Sequence, residues 1–524
     1  MVRLKNNIML TNIETPTRLF DRSVWLRRIT VLLLVILALV IRFYDLDDLP
    51  LDFHSTRQMH SALMARGMYY QTRTDIPDWQ KTASLQQWKA EGLIEPPIME
   101  SLTALGYQMV GRDDLRIPRV LSILFWMLGA LPLYRLARGL ISHNGAVFAL
   151  AFYLILPYGA EASRAFQPDP LMVSCILWAV WAAWRWSSEP GWKWALVAGL
   201  LAGLAVLVKS VAAFFVAGAW AGLLLSTWGI KRILKSIPFY VAVILAALPF
   251  AGFTYYGLKI SGEMAGQFSL RFFPNLWIDP VWYLRWNGEI SSVVGFEWFL
   301  ASLAGVFLMQ KPSGRWMMFG LFAGYVAFSF TLPYHAMTHD YYQEPLIPVV
   351  ALGAGAMIAA VISKLDGPRW LYSFAILGLL VFWVGIKAWD VRVTLKRNDY
   401  RGEPKLWQEL GDKLGHDSHV LAITQDYGYR LEYWGWLTPQ NWMNSGDFMV
   451  RELAGQQFDR AKLFQEQVEG KDYFLVTSFA EYDSQAEFKQ MMDSTFPVLE
   501  HTDDYLIYDL KHPLPARSAP TETP

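Results

Sequence analysis

Asp45-Leu-Asp-Asp-Leu-Pro-Leu-Asp-Phe-His-Ser-Thr-Arg-Gln58 is a polar, acidic stretch that follows directly on the apolar run from Thr30 to Phe43. With Glu95-Pro-Pro-Ile-Met-Glu100 it belongs to a segment, Asp45 to Arg116, that interrupts a long succession of apolar helices. Carboxylates, a histidine and an arginine at the edge of a hydrocarbon layer are the groups that a reaction on a charged, lipid-anchored substrate requires. On both sides of this segment the sequence reads as membrane.

Of the 524 residues, 54% are apolar and only 18% charged, which is too apolar for an ordinary soluble domain. Crossing the hydrocarbon takes about 20 mostly apolar residues, and windows of that kind recur from Ile29 to Lys387, predicting roughly eleven spans. The segment 1–28 holds Arg3, Lys5, Arg18, Arg22, Arg27 and Arg28; it is too polar and too long for a signal peptide and is expected to stay in the cytoplasm. Alternate loops then carry Arg135 with Arg138, Arg185 with Lys193, Lys231 with Arg232 and Lys235, Lys311 with Arg315, and Lys364 with Arg369. Because basic residues mark cytoplasmic loops, loop 45–116, the turns near Arg164, Lys209 and His339, and everything after Trp389 are expected outside. The net charge of zero suggests no nucleic-acid partner. Cys175 is the single cysteine, so no intramolecular disulfide forms. The 24 Trp and 24 Tyr suit an interfacial belt, and also sugar faces.

After Trp389 charged residues become frequent and β-like runs appear at Val420–Thr424, Tyr473–Thr477 and Asp504–Asp509, with helical stretches at Leu406–Leu414 and Ser484–Met492. The expected organisation is a transmembrane domain over 29–389 that includes the outer loop 45–116, a small extracytoplasmic α/β domain over 390–511, and a disordered Pro/Ser/Thr-rich tail over 512–524. Within the loop, Thr56–Tyr70 predicts an amphipathic helix along the membrane surface and Trp79–Ala90 a more polar one, together roofing a cavity. No internal repeat points to a transporter built of two related halves.

Four constellations carry chemistry. Asp45, Asp47 and Asp48 read as solvated caps, whereas Asp52, before Phe53-His54, is expected to face inward, where a carboxylate takes a proton from an acceptor hydroxyl. Arg57 follows at a spacing that allows a charge-assisted bond to Asp52 or to a phosphate. In Arg164-Ala-Phe-Gln-Pro-Asp169-Pro170, Asp169 suits a helix N-terminus; the functional reading is a second acid facing the same cavity, with Arg164 as a phosphate or carboxylate partner. Lys209, in a tight outward turn between short spans, either snorkels or neutralises a lipid phosphate at membrane depth. The fourth is His335-Ala-Met-Thr-His339-Asp-Tyr-Tyr-Gln-Glu344, in which the two histidines are four residues apart but sit in a segment too short for a metal-binding face. Its expected role is hydrogen bonding to substrate, with Tyr341 and Tyr342 as aromatic walls.

At these residues the chain resembles the polyprenyl-phosphate-sugar-dependent glycosyltransferases of family 39, the protein O-mannosyltransferase and lipid A aminoarabinose transferase type with the GT-C fold. The likeness covers roughly Ile41 to Ala360 and rests on the acidic first outer loop, Pro96-Pro97-Ile98, Gly203-Leu-Ala-Val-Leu-Val-Lys209 and His339-Asp-Tyr-Tyr-Gln-Glu-Pro-Leu-Ile-Pro348. The resemblance implies a polytopic α-helical GT-C membrane domain with a small α/β domain outside. It also implies an inverting transfer from a polyprenyl (undecaprenyl) phosphate sugar to a glycan, lipid or protein acceptor at a bacterial inner membrane. The family's aspartate is the proposed base and matches Asp52; from the residues themselves Asp169 is expected to orient the acceptor or share the base role, and His54, Arg57, Glu95, Arg164, Lys209, His339, Tyr341 and Tyr342 are the expected substrate-binding set, with Lys209 and Arg57 neutralising the departing phosphate. No cofactor is required; a divalent cation is compatible, with no metal ligands assigned. The chain departs from the family in having Phe53 after Asp52, where the family has glutamate, and Glu95 before Pro-Pro, where the aminoarabinose branch is often basic. The rival reading is a transporter or flippase of lipid-linked saccharides; the one-sided clustering of ionisable residues favours chemistry over transport. An enzyme-derived binding protein is the third.

Overall fold

The structure, a computed structural model, describes residues 19–92, 94–264, 272–365 and 369–515. Arg3, Lys5 and Arg18 of the N-terminal segment, and the tail from residue 516, lie outside the described residues.

Helix α1 (Val24–Phe43) starts where the Ser23 hydroxyl accepts the Leu26 N–H at 3.2 Å. The polar segment supplies α2 (Ser55–Gln71), α3 (Asp78–Ala90) and α4 (Ile98–Val110). There follow α5 (Arg116–Leu140), α6 (His143–Ile155), short α7 (Pro157–Ala162), α8 (Asp169–Ser188), α9 (Trp192–Val208), α10 (Ala212–Trp228), α11 (Ile230–Leu234) and α12 (Ile237–Tyr255). The helical part ends with α13 (Pro280–Val294), α14 (Phe296–Leu308), α15 (Pro312–Thr331), α16 (Pro333–Thr338), α17 (Leu346–Lys364) and α18 (Arg369–Leu395). Among the described residues five helices are long and apolar enough to cross a membrane, α1, α5, α12, α17 and α18, or six if α13 and α14, bent by 87°, count as one. The chain is a multi-pass membrane protein. Its expected total of roughly eleven spans draws on the shorter apolar helices α6, α9 and α10, and on α8 and α15.

In lipid no hydrophobic force presses helices together, so close backbone approach at small residues does much of the packing. A Cβ on Gly218 of α10 would sit 2.0 Å from the Gly320 carbonyl oxygen of α15, and one on Gly320 would sit 1.9 Å from that of Gly218. Only glycine fits at either position.

Helix α2 forms over the expected stretch but is not a surface helix. Gln58, Met59, Ala62, Leu63, Arg66 and Tyr69 are all buried, because α3 and α4 pack on it together with the C-terminal unit. Its polar residues find partners: Arg66 donates to the Gln87 side chain at 2.7 Å and to the Glu432 carbonyl at 3.0 Å, between the rings of Tyr433 and Trp436.

The C-terminal unit begins with α19 (Glu403–Leu414) and includes α20 (Tyr429–Trp434). Its sheet has the strands β1 (Val420–Ile423), β2 (Gln440–Asn441), β3 (Tyr473–Val476), β4 (Val498–His501) and β5 (Leu506–Asp509), in the order β2-β1-β3-β5-β4. Strand β1 runs parallel to β2 and β3, while β5 is antiparallel to β3 and β4. The three runs anticipated from the sequence are β1, β3 and β5. Edge strands β2, only two residues long, and β4, mostly exposed, offer too little apolar pattern to be seen. Helix α18 continues past Trp389 to Leu395, so the change in composition at Trp389 falls inside a helix.

Candidate active site

The chain leaves α1 through Asp45 in a left-handed conformation (φ 54°) and enters α2 through His54 in another (φ 46°). Non-glycine residues adopt such φ values at a cost, and here a set of polar bonds holds the intervening loop. Asp45, expected to be a solvated cap, is instead buried at its carboxylate, accepting from Lys396 at 2.7 Å and Arg401 at 2.6 Å. Asp48 is also buried, accepting the N–H of Tyr400 at 3.0 Å. Only Asp47 matches the solvated expectation, at 68% side-chain exposure. The residues after α18 therefore clamp the loop from outside.

Asp52 lies at the end of this loop and accepts from the Arg119 guanidinium at 2.8 Å. Arg119 is buried and also donates to the Asp48 carbonyl at 2.5 Å, so it fixes both the acid and its loop. The expected partner of Asp52, Arg57, points elsewhere and pairs with Glu95 at 2.7 Å. The second acid is also different from the one expected. Asp169 is buried away in an ion pair with Lys209, at 2.8 and 3.1 Å, whereas Glu161 of α7 lies within electrostatic range of Asp52. Burial, followed by the Asp52 charge, pushes the Glu161 carboxyl up to about 7. Arg164 holds no anion; its guanidinium donates to the carbonyls of Tyr44 and Asp45 at 2.9 and 2.8 Å and so ties α7 to the end of α1.

His54 faces Asp340 at 2.5 Å. Burial works against the Asp340 carboxylate, yet the bond and charge of His54 hold it below its ordinary range. The His54 ring lies edge-on to Tyr341, with centroids 4.8 Å apart, and the Lys209 ammonium sits 4.8 Å from the same Tyr341 ring and 4.2 Å from Tyr342. Tyr341 thus stands between the Asp52-Phe53-His54 corner and the Lys209–Asp169 pair. Beside Lys209 a narrow cleft of about 30 Å³ is lined by Glu95, Pro96, Lys209, Ser210, Leu332 and Tyr342. Glu344 is fully buried nearby, and among the described residues neither of its carboxyl oxygens has a hydrogen-bond partner; burial, then Asp169, pushes its carboxyl well above the usual range.

His339 accepts from or donates to the Thr338 hydroxyl through Nδ1 at 2.7 Å. Burial, then the charges of His54 and Lys209, lower it to about 4, so it is a neutral hydrogen-bonding group at neutral pH. Its ring lies 5.2 Å from that of His335. Among the described residues no group of three or more His, Cys, Asp and Glu side chains could hold a metal ion.

Of the residues anticipated from the sequence, the fold gathers Asp52, His54, Arg57, Glu95, Asp169, Lys209, His339, Tyr341 and Tyr342 around one corner, while Arg164 bonds to backbone carbonyls. Sequence reasoning missed Arg119, Glu161 and Asp340. A signal for Arg119 was present, an arginine three residues after Arg116 in the first turn of a mostly apolar helix, and Asp340 sits within the His339-Asp-Tyr-Tyr motif; Glu161 had none beyond being acidic near a boundary.

Residues 94–256 match the family model of the dolichyl-phosphate-mannose-protein mannosyltransferases. Comparison of the sequence with curated proteins gives no match. Among solved structures the chain is similar to ArnT from Cupriavidus metallidurans in the apo state, with TM-score 0.57 and 14% identity over 92% of this chain and 97% of that one. Similarity to the same protein bound to undecaprenyl phosphate has TM-score 0.53 and 16% identity, covering 92% and 98% of the two chains. The archaeal oligosaccharyltransferase AglB from Archaeoglobus fulgidus, in complex with an inhibitory peptide and a dolichol-phosphate, matches with TM-score 0.54 and 10% identity over 92% of this chain and 74% of that one. At these identities the structural likeness establishes the fold, and the family match covers the stretch from the Pro-Pro motif through Lys209.

Proposed function

We propose that this chain, a membrane glycosyltransferase of the GT-C fold and of the protein mannosyltransferase and ArnT type, transfers a sugar from a polyprenyl phosphate to an extracytoplasmic acceptor. The undecaprenyl phosphate and dolichol-phosphate in the similar structures support the donor class. The reading places the protein in a bacterial inner membrane, with the N-terminus in the cytoplasm and the sheet unit in the periplasm, on the alternation of basic loops. The acceptor is a glycan, lipid or protein hydroxyl or amine.

The observation that carries the mechanism is the corner around Tyr341, where His54, two residues on from Asp52, and the buried Lys209 ammonium both contact one ring. Asp52, 18% exposed and oriented by Arg119, takes the proton of the acceptor. The acceptor oxygen then bonds to the anomeric carbon as the bond to the phosphate oxygen breaks, with inversion, and the electron pair leaves on the polyprenyl phosphate. Charge developing there, at membrane depth, is stabilised most by preorganised cations. Arg57 and Lys209 are those cations, each held ready by a carboxylate, Glu95 and Asp169. The phosphate takes the place of Glu95 at Arg57 and shares the Lys209 ammonium with Asp169. No cofactor is required, and a divalent ion is compatible with this scheme without being demanded.

The test of the phosphate role is undecaprenyl phosphate binding. Lys209→Met alone leaves Asp169 buried and unpaired, which typically costs about 3–5 kcal/mol, so the informative variant is Lys209→Met with Asp169→Asn. Folded double variant is expected to lose about 1.5–3 kcal/mol of binding, the worth of a charge-assisted hydrogen bond, and to turn over more slowly. Unchanged affinity and rate per folded molecule would make the lysine a structural anchor.

A further inference from the structure

Helix α2 starts without a cap of its own. Its N-cap residue, His54, is left-handed and makes no capping hydrogen bond, its ring being paired with Asp340 instead, and the first turn of α2 holds no acidic residue. The first N–H groups of a helix carry a partial positive charge that a carboxylate nearby stabilises. Helix α2 takes that carboxylate from the other unit. Asp426, in the turn between β1 and α20, accepts the Ser55 hydroxyl at 2.6 Å and the Thr56 hydroxyl at 2.9 Å through one oxygen. Its second oxygen accepts from Arg430 at 2.6 Å, and Arg430 is paired in turn with Glu403 of α19 at 3.0 Å. The Asp426 side chain is 8% exposed, so these bonds are shielded from water.

The turn that presents Asp426 is strained. Asp426, Tyr427 and Gly428 are left-handed in succession, with φ of 54°, 54° and 83°. Residues other than glycine visit that region singly as a rule, and a bulky one such as Tyr427 does so at a cost that its surroundings must hold. Here the Asn441 amide donates to the Tyr427 carbonyl at 2.7 Å, and the Tyr427 hydroxyl donates to Asp447 at 3.1 Å. Backbone strain of this kind clusters where a side chain has to be aimed, and this turn aims a carboxylate at the start of α2.

Asp52 therefore sits in a stretch of chain fastened at both ends by residues that follow α18. At its start Lys396 and Arg401 grip Asp45, and the Tyr400 N–H grips Asp48; at its end Asp426 grips Ser55 and Thr56. The first turn of α2 passes its placement back toward Asp52. Gln58 donates to the Phe53 carbonyl at 2.6 Å and accepts the Phe166 N–H at 2.8 Å, so a shift of that turn moves the residue that follows the acid. We propose that Asp426 is a positioning residue for the transfer: from the sheet unit it fixes the start of α2 and through it holds Asp52 against the acceptor, which makes the sheet unit a working part of the site. The proposal rests on Asp52 being the base.

The test measures release of undecaprenyl phosphate from undecaprenyl-phosphate sugars by the full chain in proteoliposomes supplied with envelope acceptors. Ser55→Ala with Thr56→Val removes both hydroxyls and leaves the Asp426–Arg430 pair intact. The expected result is a kcat lower by about 10- to 100-fold, the usual effect of a misplaced reacting group, with KM for the donor unchanged; Thr56→Ser, which keeps both hydroxyls, restores the rate. With Asp52→Asn already present the two substitutions are expected to cause no further loss, because a misplaced base and a missing base are one defect. Unsubstituted kcat in the folded double variant, a rise in KM that accounts for the whole loss, or an equal further loss in the Asp52→Asn background would each overturn the proposal and leave Asp52 as the base. Near-wild-type release by Asp52→Asn itself would remove the base, and this proposal with it. If the double variant does not fold, Asp426→Asn, whose single amide oxygen cannot serve the hydroxyls and Arg430 together, takes its place in the same comparison with the same expected loss of kcat.

Discussion

Glu161 sets the pH behaviour of the outer corner. Its folded value of about 7 lies above the ordinary 4.5, through burial first and Asp52 second. Between those two values the folded state holds a proton that the unfolded state has released, so this residue's contribution to stability falls as pH rises through that window and is constant above it. Glu161→Gln keeps the shape of the neutral form and removes the titration. The Tm difference, variant minus wild type, is therefore expected to be smallest at the acid end and to grow in the variant's favour to a plateau above about pH 7. A Tm difference independent of pH from 5 to 8.5 would contradict this. At this scale much of the site was legible: an acid before a histidine and a lysine inside an apolar turn are conspicuous by chemistry alone. What stayed hidden was pairing. Asp52 with Arg119 and Arg57 with Glu95 are choices made by tertiary approach, and local spacing suggested Asp52 with Arg57.

Between helices, the placement of Lys209 depends on how closely α10, which starts just after it, approaches α15. Gly218→Leu puts atoms where the Gly320 carbonyl oxygen now lies, and forcing extra methylenes into a packed contact typically costs about 1–3 kcal/mol. The expected outcome is a lower unfolding temperature in detergent, with reduced donor affinity in the fraction that remains folded. Gly378→Leu, in α18 where a side chain meets nothing, is the control. Equal effects of the two would show that close packing of α10 on α15 is not what holds the lysine. The same elements show what apolar pattern does and does not reveal. Long apolar runs announced α1, α5 and α17, and short continuous apolar runs announced β1 and β3. Helix α2 was announced as a helix and misplaced on the surface, since nothing local tells that Gln58 and Arg66 will be buried with partners.

For the whole molecule, the basic loops predict the orientation, and the fold puts Asp52, Lys209 and the sheet unit together on the side away from them. A reporter active only outside the cytoplasm, fused after Leu510 at the end of the last strand region, is expected to be active, and the same reporter at the N-terminus silent; the opposite pattern reverses the assignment of faces. The central claim is that Asp52 is the base of a transfer from a polyprenyl phosphate sugar. Its most direct measurement is the release of undecaprenyl phosphate from undecaprenyl-phosphate sugars by purified protein in proteoliposomes supplied with envelope acceptors, comparing wild type with Asp52→Asn. The variant is expected still to bind undecaprenyl phosphate but to release it about 10²- to 10⁴-fold more slowly, the usual worth of a general base. Near-wild-type release by folded Asp52→Asn would contradict it.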